Sequence, residues 1–385
     1  MKRNCPVCGN RSASIIKKIN MELPSGYKLP NSYDVVSCDI CGMCYADTEA
    51  TQNDYDYYYT NCNIYSDLHY DISSRTKALM DLIHRFCNKD SSILDMGFGN
   101  GEWLQSLKNE GFHNLVGIDP SIDSVKALSG KGINSYVGNV FDSTIFNLKN
   151  KFDCCFMLSV LEHLLYPGKA IAVLSEYIKP HGLIIIEIPN YAMSHYTDAP
   201  IPNMFNQEHI NYFSPKSFSA LFEMNGFRTI EMIPYCISND EIDSYAIIGV
   251  FKKTNYITSI IEKDLSIVES ITKYINNQLN KESERNKLIN SLAENHTPIY
   301  IWGTGAFISR LISISELSKC NIIAFVDNNH LKQNTEIYNI KIISPFDIKD
   351  NTAPILIASM LHTNDIYEQI IKMQLPNKII PLVSL

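Results

Sequence analysis

Apolar residues fall in two rhythms along this chain. Through its middle they come as short, near-continuous runs that end in polar residues: Ile93-Leu94 before Asp95, Leu115-Val116-Gly117-Ile118 before Asp119, Phe152 to Leu158, and Leu183 to Ile188. Short Ile/Val/Leu-rich runs predict strands buried on both faces, as in a parallel sheet. Between them the spacing turns helical. Residues 73–86 predict an amphipathic helix leading into the first strand, and Trp103, Leu104 and Leu107 predict a helix just after it. Residues 132–142 predict a third short strand. Ser214-Pro215 supplies a helix cap and first turn. That helix ends near Gly226, and residues 245–253 predict a last, antiparallel strand. Alternation of this kind predicts a doubly wound α/β domain, with ligands outside the C-terminal strand ends.

Farther on, Ile257, Ile260, Ile261, Leu265, Val268, Ile271, Ile275 and Leu279 keep helical spacing with no proline among them. They predict one or two long helices joining domains; dimerisation as a coiled coil is the alternative to packing on a third domain. Residues 297–385 begin a second α/β unit, with strands at Pro298–Trp302, Asn321–Asn328 and Pro354–Ser359. A glycine turn, Gly303-Thr304-Gly305, follows the first of these, and Asp327 comes 22 residues after Gly305. Ile308 stands where the dinucleotide fingerprint wants its third glycine, which argues against a full NAD site. The turn is suited to a pyrophosphate on backbone N–H groups, so Gly303, Gly305 and Asp327 are candidate substrate-binding residues; a scaffold domain is the alternative. Four segments are expected: 1–70, 71–253, 254–296 and 297–385.

Composition adds limits. The chain has 385 residues, is 45% hydrophobic and carries a net charge of −8 without a long Lys/Arg block. That argues against nucleic acid as a substrate, because phosphate contacts need a basic face. No apolar run reaches the 18 or so residues of a membrane span. The start, Met-Lys-Arg-Asn-Cys-Pro-Val-Cys, has no apolar signal core, so a cytoplasmic location is expected.

Four of the eleven cysteines form two Cys-x-x-Cys pairs, Cys5/Cys8 and Cys38/Cys41, each followed by glycine. Four thiolates suit a tetrahedral Zn²⁺ ion, and a closed site of four has no open position for chemistry, so a structural zinc ribbon is expected. A redox motif would show one such pair at a helix start. Cys44 is off register and reads as a packing residue. Tyr55, Tyr57, Tyr58, Tyr59, Tyr65 and Tyr70 follow. They are expected to pack for the most part, with one or two at a site.

Three stretches carry candidate chemistry. The first is Asp95-x-Gly97-x-Gly99-x-Gly101, with Asp119 24 residues after Asp95. Glycines let a ligand lie against bare backbone, and Asp119 is placed to accept hydrogen bonds from a ribose diol. The second is Leu158-Ser-Val-Leu-Glu162-His163, at the end of the fourth strand. The third is Asn206-Gln207-Glu208-His209-Ile-Asn-Tyr212-Phe213-Ser214. His209 can titrate near neutral pH, and Glu208 is placed to orient it or to bind a sugar hydroxyl. Structural histidines at a sheet edge and a hairpin corner are the plainer alternatives.

The glycine pattern resembles motif I of the class I S-adenosylmethionine (SAM) methyltransferases. The order of zinc ribbon, Asp-x-Gly-x-Gly-x-Gly, Leu-Glu-His and Glu-His-x-x-Tyr-Phe-Ser resembles the sugar C-methyltransferases. Those enzymes methylate a nucleotide-linked 4-keto-6-deoxy sugar at C3. The motifs cover the first 250 residues, and the three-part architecture covers the whole chain. The resemblance implies a Rossmann-like class I methyltransferase domain flanked by a zinc ribbon and a C-terminal Rossmann-like α/β domain. SAM would lie over Gly97–Gly101, with Asp119 on its ribose, Asp95 at the turn and methionine end, and Asn139 and Val140 beside the adenine. His209 would be the base, with Glu208 and His163 near the sugar and Tyr212 and Asn206 in the substrate site. A nucleotide sugar of surface polysaccharide or deoxysugar synthesis would be the partner, and the protein a monomer or dimer. One departure stands out. The family has Tyr-His where this chain has Asn206-Gln207, which leaves C- and O-methylation both open. A non-catalytic SAM or nucleotide-sugar binding module is a further alternative, against which the intact turn and the two histidines argue.

Overall fold

A computed structural model describes the chain except residues 21–27, 62–72, 143–147, 198, 239–242, 255, 259–260, 306, 309–310, 313–314, 360–361 and 383–385. Tyr65, Tyr70 and Ile260 lie outside the described residues. Two compact units emerge, one formed by Met1–Asn239 with Asp243–Ile275 and the other chiefly by Asn276–Leu385.

The first unit holds two sheets. The smaller joins β1 (Ala13–Asn20), β2 (Ser32–Cys38) and β3 (Cys44–Asp47) as an antiparallel ribbon. The larger uses β4 (Ser92–Met96), β5 (Asn114–Asp119), β6 (Asn134–Val137), β7 (Phe152–Leu158) and β8 (Ile178–Pro189), all parallel. The ribbon's fourth strand is β9 (Asn211–Tyr212), the expected Glu-His loop, which pairs Tyr212 with Cys44 and Asn211 with Tyr45. Then β10 (Phe227–Ser238) and β11 (Asp243–Lys253) close the larger sheet, with β11 antiparallel to β8 and to β10. Strand order across it is β10-β11-β8-β7-β4-β5-β6.

Alternation along the strands explains their near-continuous apolar runs. Leu94, Cys155, Met157, Ile184 and Ile186 join one core, while Ile93, Cys154, Phe156, Leu183 and Ile185 join another. Successive side chains point to opposite faces, and here both faces are covered. Helix α1 (Gln52–Asn61) follows the ribbon, and α2 (Ser73–Phe86) leads into β4 as expected. Ser214 caps the helix Pro215–Glu223 in a full capping box with Ser217.

Two expectations shrink. The third strand covers only Asn134–Val137, because the chain turns there: Gly138 N–H returns to the Asp119 carbonyl (3.0 Å) and Asn139 Oδ1 takes Phe141 N–H (2.8 Å). The linker holds one helix, Ser266–Glu294, and the described residues among 256–265 are not helical. Buried Asp264 ends that stretch by accepting from Ser266 N–H (3.1 Å) and from the Ser214 hydroxyl (2.5 Å). The unit division falls within this helix, at Ile275.

The second unit carries strands β12 (Pro298–Trp302), β13 (Asn321–Val326), β14 (Glu336–Ile337), β15 (Ile340–Ile343), β16 (Ile355–Ile357) and β17 (Ile379–Pro381), in the order β14-β15-β13-β12-β16-β17. Its core strands β15, β13, β12, β16 and β17 are parallel. Among the described residues, no helix is long and apolar enough to cross a membrane.

Candidate functional site

The C-terminal ends of β4, β5, β7 and β8 bring most of the expected chemistry together. After β4 the chain runs through Gly97, Gly99 and Gly101, all at positive φ (79°, 58° and 76°). A Cβ on Gly97 would meet Val160 at 2.6 Å and one on Gly101 would meet Leu128 at 2.8 Å, whereas one on Gly99 would meet nothing within 4 Å. The turn is thus packed on two sides and open at its tip. Asp119 holds that tip: its Oδ2 accepts Gly99 N–H (2.8 Å) and its Oδ1 accepts Ser121 N–H (2.8 Å). A carboxylate has about four acceptor sites, so each oxygen keeps capacity for a ligand.

Asp95 is 1% exposed, and no described residue donates to its Oδ1. Burial pushes its carboxyl up to about 7, with Asp119 adding to the rise and Arg75 opposing it. Val140 is core and Asn139 half-buried, its Oδ1 spent on Phe141 N–H.

Beyond β7 the backbone enters the left-handed region at Ser159 (φ 56°) and turns through Leu161–His163. Strain of this kind persists only where the surroundings enforce it; here Ser159 N–H is fixed to the Glu187 carbonyl (3.0 Å). The turn buries Glu162 and His163 together. His163 Nδ1 lies 3.0 Å from the Glu208 carbonyl, and its ring sits 4.8 Å from that of His209, at 72°. The two predicted histidine motifs, 46 residues apart, therefore form one pair.

Both imidazoles are held neutral. Burial brings His163 down to about 4, against the carbonyls of Glu208 and Ser159, which favour its charge. Burial brings His209 to about 3, with His163 adding to the drop and Glu208 opposing it. His209 Nδ1 is 3.3 Å from the Tyr191 hydroxyl, which donates to the Met204 carbonyl (2.8 Å). That phenol's proton is spent, so its oxygen accepts and His209 Nδ1 is the donor. Each ring thus keeps its proton on Nδ1 and an acceptor lone pair on Nε2.

Asn206 orients the loop: its Oδ1 accepts the N–H groups of Glu208 (2.9 Å) and His209 (2.7 Å). That oxygen serves the turn, where the sequence points to substrate. Tyr212, also expected in the substrate site, is fully buried with its hydroxyl on Tyr33 (3.2 Å). It corrects to a core residue, because β9 is paired with the ribbon and turns that side chain inward. The remaining expected substrate residues belong to the second unit. There Asp327 accepts from the Thr304 hydroxyl and from Asn329 N–H (2.9 Å), with Lys332 at 3.4 Å.

Several site groups escape sequence reasoning. Arg75, on α2, pairs with Glu187 of β8 (2.6 Å), which also accepts from Tyr235 (2.7 Å). Tyr58, on α1, donates to the Glu208 carboxylate, Tyr55 to the Gln207 carbonyl (3.2 Å), and the Tyr59 ring lies edge-on to His163 at 5.8 Å. Glu162 is 1% exposed, and no other described residue donates to either oxygen. The tyrosine cluster and the Glu-His pair were visible signals; the pairing of Arg75 with Glu187 had none.

At the ribbon, Cys5 and Cys41 Sγ lie 3.5 Å apart, as do those of Cys8 and Cys38, and all four sulfurs fall within 4.8 Å of one another. A zinc–sulfur bond of about 2.3 Å makes a tetrahedral edge of about 3.8 Å, so the four thiols can hold one such ion. Cys44 is buried, as a packing residue would be.

Comparison with known proteins agrees with this geometry. A family model described as a methyltransferase domain matches residues 72–232, and one described as C2185-like, N-terminal, matches residues 295–380. A tRNA U34 carboxymethyltransferase of Aliivibrio salmonicida is 25% identical over 182 residues, covering 45% of this chain and 56% of its own. A mitochondrial ubiquinone biosynthesis O-methyltransferase of Dictyostelium discoideum is 26% identical over 163 residues, covering 37% and 51%. The chain spans about half the length of these curated relatives. Among solved structures, the PH0226 protein of Pyrococcus horikoshii is 17% identical, covers 53% of this chain and all of its own, and superposes with a TM-score of 0.39. The family match falls on the larger sheet with its glycine turn and both acids, and residues 72–232 are a class I SAM-dependent methyltransferase domain.

Proposed function

We propose that the protein transfers the SAM methyl group to a nucleotide-linked sugar, at C3 beside a 4-keto group, with His209 as base. The observation that carries the reading is the His163–His209 pair, two neutral imidazoles 4.8 Å apart at the strand ends that carry the glycine turn. A neutral imidazole with a free Nε2 is the form a general base needs.

The residues present fit the cofactor. The tip at Gly99 is open, Asp119 retains acceptor capacity for a ribose diol, and the Asp95 oxygen that has no donor among the described residues suits a cationic methionine end. Asp95 and Glu187 are both buried near the guanidinium of Arg75, so an ionised Asp95 leaves one negative charge there that a cationic ligand would balance. SAM supplies an already activated methyl group; the protein's part is to bring the acceptor in line and remove its proton. Glu208 and His163 sit beside His209 to hold the acceptor. The four cysteines are proposed to hold a structural Zn²⁺, and Gly303, Gly305 and Asp327 to form a nucleotide-binding turn within the second unit.

O-methylation of a sugar hydroxyl is the second reading. It is favoured by Asn206, whose carbonyl oxygen caps the loop at the position where sugar C-methyltransferases have a tyrosine. Incubating a nucleotide 4-keto sugar in D₂O separates the two. Deuterium entering C3 only when His209 is intact supports C-methylation. Methyl transfer without C3 exchange supports oxygen, and no transfer to any sugar from labelled SAM sinks both.

A further inference from the structure

Glu162 has no part in the reading above, yet its surroundings are unusual. It is enclosed by the turn after β7, and apart from its own backbone N–H no described residue donates to either carboxyl oxygen. Its neighbours are acceptors. His163 Nε2 lies 3.6 Å from its Oε1, and a His209 ring nitrogen is within 4.8 Å of the same cluster. Both rings keep their protons on Nδ1, turned away toward the Glu208 carbonyl and Tyr191. Arg75, the nearby cation, is committed to Glu187, which also takes the Tyr235 hydroxyl. An ionised carboxylate in such a place would be buried without a partner, and such groups neutralise instead.

We propose that Glu162 carries its proton in the resting site and donates a hydrogen bond from it to the oxygen of the methyl acceptor. This rests on the reading that the acceptor is a keto sugar. Burial raises the carboxyl to about 8; Glu187 adds to the rise, while Arg75 and the residue's own backbone N–H oppose it. The other titrating groups around it are His163 and His209, both held neutral, and the phenols of Tyr191 and Tyr235, both raised chiefly by burial. A carboxylic acid kept neutral by its site is a good donor to a developing oxyanion. In C-methylation His209 Nε2 takes the C3 proton, the C–H pair becomes the C3–C4 double bond, and the carbonyl π pair moves to oxygen, where Glu162 donates. C3 then bonds to the methyl carbon, and the S–C pair stays on sulfur. Glu162 keeps its proton throughout, and His209 returns its own to water.

Infrared difference spectroscopy tests this without an acceptor. The wild-type minus E162Q spectrum at pH 6.5 should contain the C=O stretch of one protonated carboxylic acid, and this band should fade as pH rises through 8. Only ionised-carboxylate bands in that difference would overturn the proposal. So would one equivalent of Mn²⁺ bound by wild type and not by E162Q, since a cation would hold the carboxylate ionised. If E162Q fails to fold, E162D should still carry the acid band at a shifted frequency. With a keto sugar, E162Q keeps an N–H donor and should exceed E162A in kcat by roughly a hundredfold. It should also lose the alkaline fall in rate that wild type shows near pH 8; equal rates for E162A and wild type would overturn the donor role. A persistent acid band with no sugar methylated would remove the sugar reading and leave the protonated Glu162 standing.

Discussion

Arg3 reaches across 208 positions of sequence to donate to the Asn211 side-chain oxygen at 2.9 Å. The same guanidinium donates to the Leu165 carbonyl (3.2 Å). Asn211 in turn donates through Nδ2 to the Leu164 carbonyl (2.7 Å) and lies near those of Leu161 and Glu162. A residue two positions from the first cysteine of the ribbon thus ties together the loops that carry His163 and His209. Replacing Arg3 with Ala should cost about 1–3 kcal/mol of stability, the worth of a charge-assisted hydrogen bond in a part-buried place. Urea unfolding followed by circular dichroism checks it; an unchanged midpoint would show that the tie is idle.

Metal removal should reach the site from a distance. Chelation, or Cys38→Ser, should abolish ordered ribbon structure, because structural zinc sites contribute folding free energy directly. Through β3 and β9 the loss should extend to the His209 loop and lower methyl transfer. One zinc per chain by elemental analysis, and activity falling in parallel with it, is the expected result.

His209→Ala should abolish turnover while SAM affinity, measured by calorimetry, stays within about twofold. A general base typically contributes about 10²–10⁴-fold, so retention of more than a tenth of the rate would remove His209 from the proton transfer.

The glycine turn makes a graded prediction. Gly97→Ala combines a positive φ with a 2.6 Å clash against Val160 and should destabilise the fold by about 1–3 kcal/mol. Gly99→Ala meets open space in the protein and should cost less stability, yet weaken SAM binding because the new methyl occupies the open tip. Denaturant midpoints and SAM titrations on the two variants should rank oppositely.

SAM affinity should depend on pH through Asp95. In the free protein burial keeps that carboxyl protonated below about pH 7. A cationic ligand favours its ionised form. Binding should therefore release up to one proton at pH 6 and none at pH 8, and affinity should rise up to tenfold per unit towards pH 7, then level. Calorimetry in buffers of different ionisation enthalpy reads this, and Asp95→Asn should flatten it.

Much of this was legible from residue order. The Ile-rich run before Pro189 announced a strand buried on both faces, and Ser214-Pro215 announced the helix that it caps. Asp95, the three glycines and Asp119 announced the turn. The rest depended on contacts between distant segments. Tyr212 read as a substrate contact because it stands beside the Glu-His pair, but strand pairing to Cys44 decides its direction. Arg75 sits on an ordinary amphipathic helix, and nothing local marks it as the partner of Glu187. Helical spacing before Asp264 was misleading, since that buried acid accepts from Ser266 N–H and so starts the helix only there.

The pairing of β3 with β9 also sets an order of events during synthesis. The ribbon emerges before β9, and the β3 edge that will receive Asn211 and Tyr212 has no partner on that side until they appear. At ribosomal rates that interval is roughly 10–30 s. An unpaired edge is a template for joining another chain. The nascent protein is therefore most exposed to association before its His209 loop has been made, and early zinc capture would shorten the time that the ribbon spends unfolded as well.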